Sequence, residues 1–172
     1  MPRSKAADIG LMHFAPDSIH LGWLAGSLGF QLRIAQEAAY QAFARLCGDM
    51  EAPPWRFPVL ALIDANPGIT PSVLSRATNR DKSSLTPVLR DLTSRKLIRK
   101  SAMKADRRSF GLNLTAHGRR VLHQMQTIAA THERELDGIL GPERREHFIR
   151  DLKKISAGLT AAALPVKPLS SS

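Results

Sequence analysis

Ser83, Ser84, Thr86 and Arg90 recur along one side of the stretch "KSSLTPVLR", and Lys104, Asp106, Arg107 and Arg108 crowd the short segment "KADRR" further on. Hydroxyls and a guanidinium on one helix face are the groups that reach hydrogen-bonding edges of bases. Lysines and arginines placed on phosphates release condensed counterions, which makes a dense cationic segment the footprint of a polyanion-binding surface. The density is uneven. The chain carries a net charge of +10. Between Arg76 and Arg108 there are eleven basic residues against three acids, so this one segment holds net +8.

Other chemistry leaves little trace. The sequence has no phosphate-cradling glycine loop, no nucleophile elbow and no closely spaced carboxylate pair on a common face. No catalytic residue, cofactor or enzymatic activity is therefore predicted. The six histidines include no i,i+4 pair and have no cysteine partner, so no metal site is predicted. A single cysteine, Cys47, excludes an internal disulfide and suits a cytoplasmic protein. It reads as a small buried hydrophobe, with redox sensing as the alternative. No apolar run approaches the roughly 18 residues of a membrane span, and the N-terminus lacks the apolar core of a signal peptide.

The elements that must position the basic segment follow from periodicity. Residues 1–16 read as a flexible arm and 164–172 as a flexible tail. Asp17 or Ser18 is the predicted cap of a long helix to about Leu46, with Leu21, Leu24, Leu28, Leu32, Phe43 and Leu46 on one stripe. Trp23, Gly26, Phe30 and Arg33 are predicted to share its opposite side. A short proline-opened helix follows at "PPWRFPVLALIDANPG". Thr70 caps "PSVLSRA", with Pro71 at the first helical position. After the polar break "TNRD", a helix runs from about Lys82 to Arg95 with Leu85, Val88, Leu89 and Leu92 on its buried side. One of the serines at 83 and 84 is expected to cap it. Pro87 is tolerated if the helix begins at Ser83 or Ser84.

Two extended runs, "LIRKS" and "SFGLNLT", then form a hairpin with a basic tip; Phe110, Leu112 and Leu114 alternate onto one side. Thr115 is the predicted cap of a helix over about 116–140, and a last helix runs from Glu143 to about Ala163. The predicted fold is mainly α with a small β-hairpin: a winged helix-turn-helix over 53–115, with helices 17–52 and 116–163 around it.

Residues 68–122, "GITPSVLSRATNRDKSSLTPVLRDLTSRKLIRKSAMKADRRSFGLNLTAHGRRVL", resemble the core of the MarR family of bacterial transcription regulators. The motifs "DKSSLTPVLRDL", "LIRK", "DRR" and "LTAHGRRVL" carry the resemblance. It implies an obligate homodimer with interlocking terminal helices on a pseudo-palindromic DNA operator. It implies that Ser83, Ser84, Thr86, Pro87 and Arg90 face the major groove, and that Asp106 orients Arg108 into the minor groove beside Arg107. Arg76, Arg80 and Lys82 are expected on phosphates.

The family usually has glycine where this chain has Lys96, which would then carry a left-handed strain. The resemblance also implies a small aromatic effector, a carboxylate or its CoA thioester, that releases a repressor from DNA. Trp23, Gly26, Phe30, Arg33, Trp55, Arg56 and Phe57 are its predicted contacts, since aromatic walls with a guanidinium suit a flat anion. A DNA-binding protein of architectural or constitutive type, without a ligand, is the alternative.

Overall fold

A computed structural model of the chain describes residues 19–102 and 110–161. The chain divides into two compact units, residues 1–41 and 42–172. The predicted arm, Asp17, Ser18, Lys104, Asp106, Arg107, Arg108 and the predicted tail lie outside the described residues.

The first unit departs from the long helix predicted for it. A 3-10 turn over Gly22–Gly26 precedes helix α1, Leu28–Cys47. Gly22 takes φ +56°, and Ser27 is extended at φ −78°, ψ 116°. Ser27 then begins α1: its carbonyl accepts from the Gln31 N–H at 3.0 Å and its Oγ from the Phe30 N–H at 3.4 Å. Three glycines within eight residues remove the propensity that a continuous helix would need here. The leucine stripe and the Trp23–Arg33 face predicted for a single helix are thus interrupted at Ser27.

In the second unit, a 3-10 turn at Pro54–Arg56 leads into α2, Phe57–Ala65, followed by α3, Pro71–Ala77, and α4, Lys82–Ser94. Strands β1, Ile98–Ala102, and β2, Phe110–Leu114, pair antiparallel, with Ile98 opposite Leu114 and Lys100 opposite Leu112. Helices α5, Ala116–Leu140, and α6, Pro142–Ala161, close the described chain. Thr70 Oγ1 accepts from Val73 N–H at 3.3 Å and Thr115 Oγ1 from Gly118 N–H at 2.9 Å, so both threonines cap as predicted.

One core unites α2 to α5 and the hairpin. Leu60, Ile63, Leu85, Leu92, Leu112 and Met125 are all fully buried in it. The hairpin also gains a third edge, which periodicity does not predict. Ile69 bridges to Leu112, Gly68 N–H donates to the Leu112 carbonyl and Leu112 N–H to the Ile69 carbonyl, each at 2.9 Å. Gly111 makes this approach possible, because a Cβ there would stand 2.7 Å from the Gly68 carbonyl oxygen. The chain entering α3 is thereby tied to the hairpin that follows α4.

Candidate nucleic-acid interface

Helix α4 is divided lengthwise. Leu85, Val88, Leu89 and Leu92 are buried, whereas Lys82, Ser83, Ser84, Thr86, Pro87 and Arg90 are all exposed. The site residues predicted for this helix therefore share one solvent-facing side that carries no large aliphatic group. Its start differs from the expected one. Asp81, not a serine, is the cap: its Oδ1 accepts from Ser84 N–H at 2.7 Å and Ser83 Oγ–H at 2.5 Å. Ser84 Oγ–H donates to the Asp81 carbonyl at 3.0 Å, and Thr86 Oγ1–H to the Lys82 carbonyl at 2.8 Å. These hydroxyls present their remaining lone pairs outward. The donated bonds, that from Ser83 foremost, lower the Asp81 pKa to about 2.

With the helix starting at Lys82, Pro87 lies beyond the first turn, a correction to its predicted place. Lacking an N–H, it leaves the Ser83 carbonyl without its helical donor on the exposed side.

Both helices of the pair end alike. Arg80 N–H donates to the Ser75 carbonyl at 3.0 Å and Asn79 N–H to the Arg76 carbonyl at 3.2 Å. Leu97 N–H reaches the Leu92 carbonyl at 2.9 Å and Lys96 N–H the Thr93 carbonyl at 3.0 Å. Each is a Schellman motif, with Asn79 at φ +50° and Lys96 at φ +57° in the left-handed position. Buried Ser75 adds a bond from its Oγ–H to the Arg80 carbonyl at 2.6 Å. The turn between α3 and α4 is therefore held at several points, which fixes Arg76, Arg80 and Lys82 beside the start of α4. All three are exposed.

The four effector residues expected on one helix face lie on two elements. Trp23, 79% exposed, and Gly26 sit in the 3-10 turn, off α1, while half-buried Phe30 and exposed Arg33 lie on α1. In the second unit, Phe57 packs 5.7 Å from the Phe43 ring, which lies 5.7 Å from His132. Trp55 stacks with guanidinium groups, Arg56 at 4.7 Å and Arg80 at 5.7 Å from its ring centroid.

Arg56 requires a correction. It is buried and forms an ion pair with Asp91 on the inner side of α4, so this guanidinium is committed within the protein. Arg95 completes a network, its Nε 3.0 Å from Asp91 Oδ2 and its Nη1 donating to the Glu51 carbonyl at 3.0 Å. Asp81, Asn79 and Asp91 are not among the site residues predicted from the sequence. Asp81 was legible as a cap by its position ahead of "KSSL"; the Arg56–Asp91 pairing has no local signal.

Cys47 is buried, and that burial raises its thiol pKa, which disfavours the reactive thiolate. Among the described residues, no group of three or more His, Cys, Asp or Glu could hold a metal ion, and no helix is long and apolar enough to cross a membrane.

Two helices held at a fixed turn and followed by an antiparallel hairpin define a winged helix-turn-helix protein. The MarR family model matches residues 49–109. A putative transcriptional regulatory protein for the hcr operon of Thauera aromatica is 32% identical over 135 residues, covering 78% of this chain and 81% of that protein. Among solved structures, the transcriptional repressor CouR bound to a 23-mer DNA duplex superposes with a TM-score of 0.75 at 30% identity, over 80% of this chain and 98% of that one. CouR bound to p-coumaroyl-CoA gives 0.72 at 29% identity, over 80% and 97% of the two chains. The chain belongs to the MarR family of winged-helix transcription regulators.

Proposed function

We propose that this protein is a homodimeric repressor that binds a pseudo-palindromic operator and is released by a small aromatic carboxylate or its CoA thioester. The observation that carries the DNA reading is the exposed side of α4 from Lys82 to Arg90, polar except for Pro87. A helix of about 10 to 12 Å diameter fits a major groove about 12 Å wide. Ser83, Ser84 and Thr86 are the proposed base-edge contacts, Pro87 the apolar neighbour, Arg90 a DNA contact further along the same face, and Arg76 and Lys82 phosphate contacts. Asp106, Arg107 and Arg108 are proposed for the adjoining minor groove, where arginine meets strong negative potential. The segments 17–52 and 116–163 are proposed to form the dimer.

Support for the effector comes from CouR, which a structure shows with p-coumaroyl-CoA. With Arg56 committed to Asp91, Arg33 is the proposed carboxylate partner among the sequence-derived effector residues. Effector binding that disfavours the DNA-bound form by about 1–3 kcal/mol lowers operator affinity roughly 5- to 150-fold.

Selection from random duplexes tests the DNA reading. The expected product is two inverted half-sites about 34 Å apart; recovery of no shared sequence leaves only the architectural alternative. Calorimetry with aromatic carboxylates and their CoA thioesters, p-coumaroyl-CoA included, tests the effector. Heat with release of bound duplex is expected, and its absence across the panel overturns that part.

A further inference from the structure

The hairpin side that feeds the core contains Ile98 and Lys100 of β1 and Phe110, Leu112 and Leu114 of β2, as the register and the period of two dictate. Lys100 is the charged member of that set and, like Ala102 on the same side, is exposed where the buried part of the hairpin ends. Its ammonium stands 4.5 Å from the Phe110 ring centroid, within cation–π range. Both residues line a cleft of about 450 Å³ between the hairpin and α4, where Pro71, Thr86, Arg90 and Thr93 form much of the opposite wall.

The cleft's donors are unequal. Thr93 Oγ1–H donates to the Leu89 carbonyl at 2.7 Å and Thr86 Oγ1–H to the Lys82 carbonyl, so neither proton faces an occupant. Arg90 and Lys100 are left as donors, and among the described residues no carboxylate lines the cleft. Two cations side by side favour an anion that itself needs only to accept hydrogen bonds. A phosphodiester has that chemistry. Arg90 also belongs to the exposed side of α4, so the cleft opens where the duplex is proposed to lie.

We propose that Lys100 and Arg90 hold one backbone phosphate of the bound duplex in this cleft, with Phe110 fixing the lysine ammonium. This contact rests on the DNA-binding reading above and adds to it a residue outside α4 and the hairpin tip. Because a phosphate carries no base identity, the contact stabilises operator and unrelated duplex alike.

Equilibrium titrations of full-length protein against operator and a scrambled duplex, across a salt series, provide the test. Lys100→Gln is expected to weaken both complexes by a similar factor, about 3- to 10-fold, and to reduce the slope of log K on log salt by about 0.9 per protomer, or about 1.8 for the proposed dimer. Lys100→Arg is expected to restore the parent slope, and Phe110→Leu, which keeps the charge but removes the ring, to weaken binding by about 2- to 5-fold.

Arg99→Gln removes the same charge from the other side of β1 and serves as the comparison; its effect on both complexes is expected to be the smaller. A parent slope in Lys100→Gln overturns the proposal. So does an equal effect of Arg99→Gln and Lys100→Gln, which would reduce Lys100 to general attraction. If the parent protein itself binds neither duplex, the DNA reading fails as well, so the two failures are distinguishable.

Discussion

Lys96 holds φ at +57° in the one position after α4 where a side chain is a burden. The Schellman bonds around it and the packing of Leu97 with Leu92, both fully buried, require the left-handed turn whatever residue occupies it. A β-carbon there costs about 1–2 kcal/mol, partly offset by the entropy that glycine loses on folding. Lys96→Gly is therefore expected to stabilise the protein by about 0.5–1 kcal/mol, read as a rise in the urea midpoint at unchanged slope.

At the other end of α4, Asp81 makes a pH prediction. Its folded pKa of about 2 lies below the ordinary value of 3.8, so the cap contributes fully above that ordinary value and fades as pH falls towards 2. Asp81→Asn keeps an accepting oxygen but cannot titrate. The difference in melting temperature between parent and Asp81→Asn should shrink between pH 4 and pH 2; a constant difference across that range refutes the assignment.

Packing between elements decides the attitude of α4 relative to the hairpin. Gly118, in the first turn of α5, lies against the Leu97 carbonyl, and a Cβ there would stand 2.0 Å from that oxygen. The oxygen also receives Thr115 N–H at 3.0 Å, so it cannot move without breaking the junction between β2 and α5. Gly118→Ala is expected to cost about 3 kcal/mol or more in chemical denaturation, the upper range for overpacking, because the obstacle is backbone.

Much of this architecture was legible beforehand. Thr70 and Thr115 announce helix starts by residue type and position, and the alternation of Phe110, Leu112 and Leu114 announces the strand. Local signals failed where structure depends on distant partners. The Ile69–Leu112 bridge and the Arg56–Asp91 pair join residues 43 and 35 positions apart, which periodicity does not reach. The break at Ser27 is hidden for another reason: the leucine spacing on either side of it stays helical. Among the candidate site residues, the α4 face followed from its 3.6-residue period, whereas the expected effector face inherited the error at Ser27.

At the scale of the molecule, the distribution of apolar surface argues for a second copy of the chain. Ile139 on α5 is 81% exposed, and Phe148 and Leu159 on α6 are 41% and 71% exposed, while none belongs to the buried core. Trp23 and Leu28 in the first unit are also exposed. Fully burying a side chain of this kind is worth about 1.5–3 kcal/mol, so several together suffice for a stable interface. Their placement on the terminal segments matches the proposed dimerisation regions and leaves the polar side of α4 for another partner.

Replacing Phe148 and Leu159 together by Glu should convert a species of twice the 18.9 kDa chain mass into a monomer in sedimentation. The buried core of α2 to α5 contains neither residue, so a cooperative unfolding transition should persist. Operator affinity should fall about 100-fold or more, because two half-sites no longer engage one linked pair of reading helices, while the weaker affinity for a single half-site survives. A double variant that stays dimeric, or a monomer that binds the full operator like the parent, removes the terminal helices from the account of how this regulator spans its site.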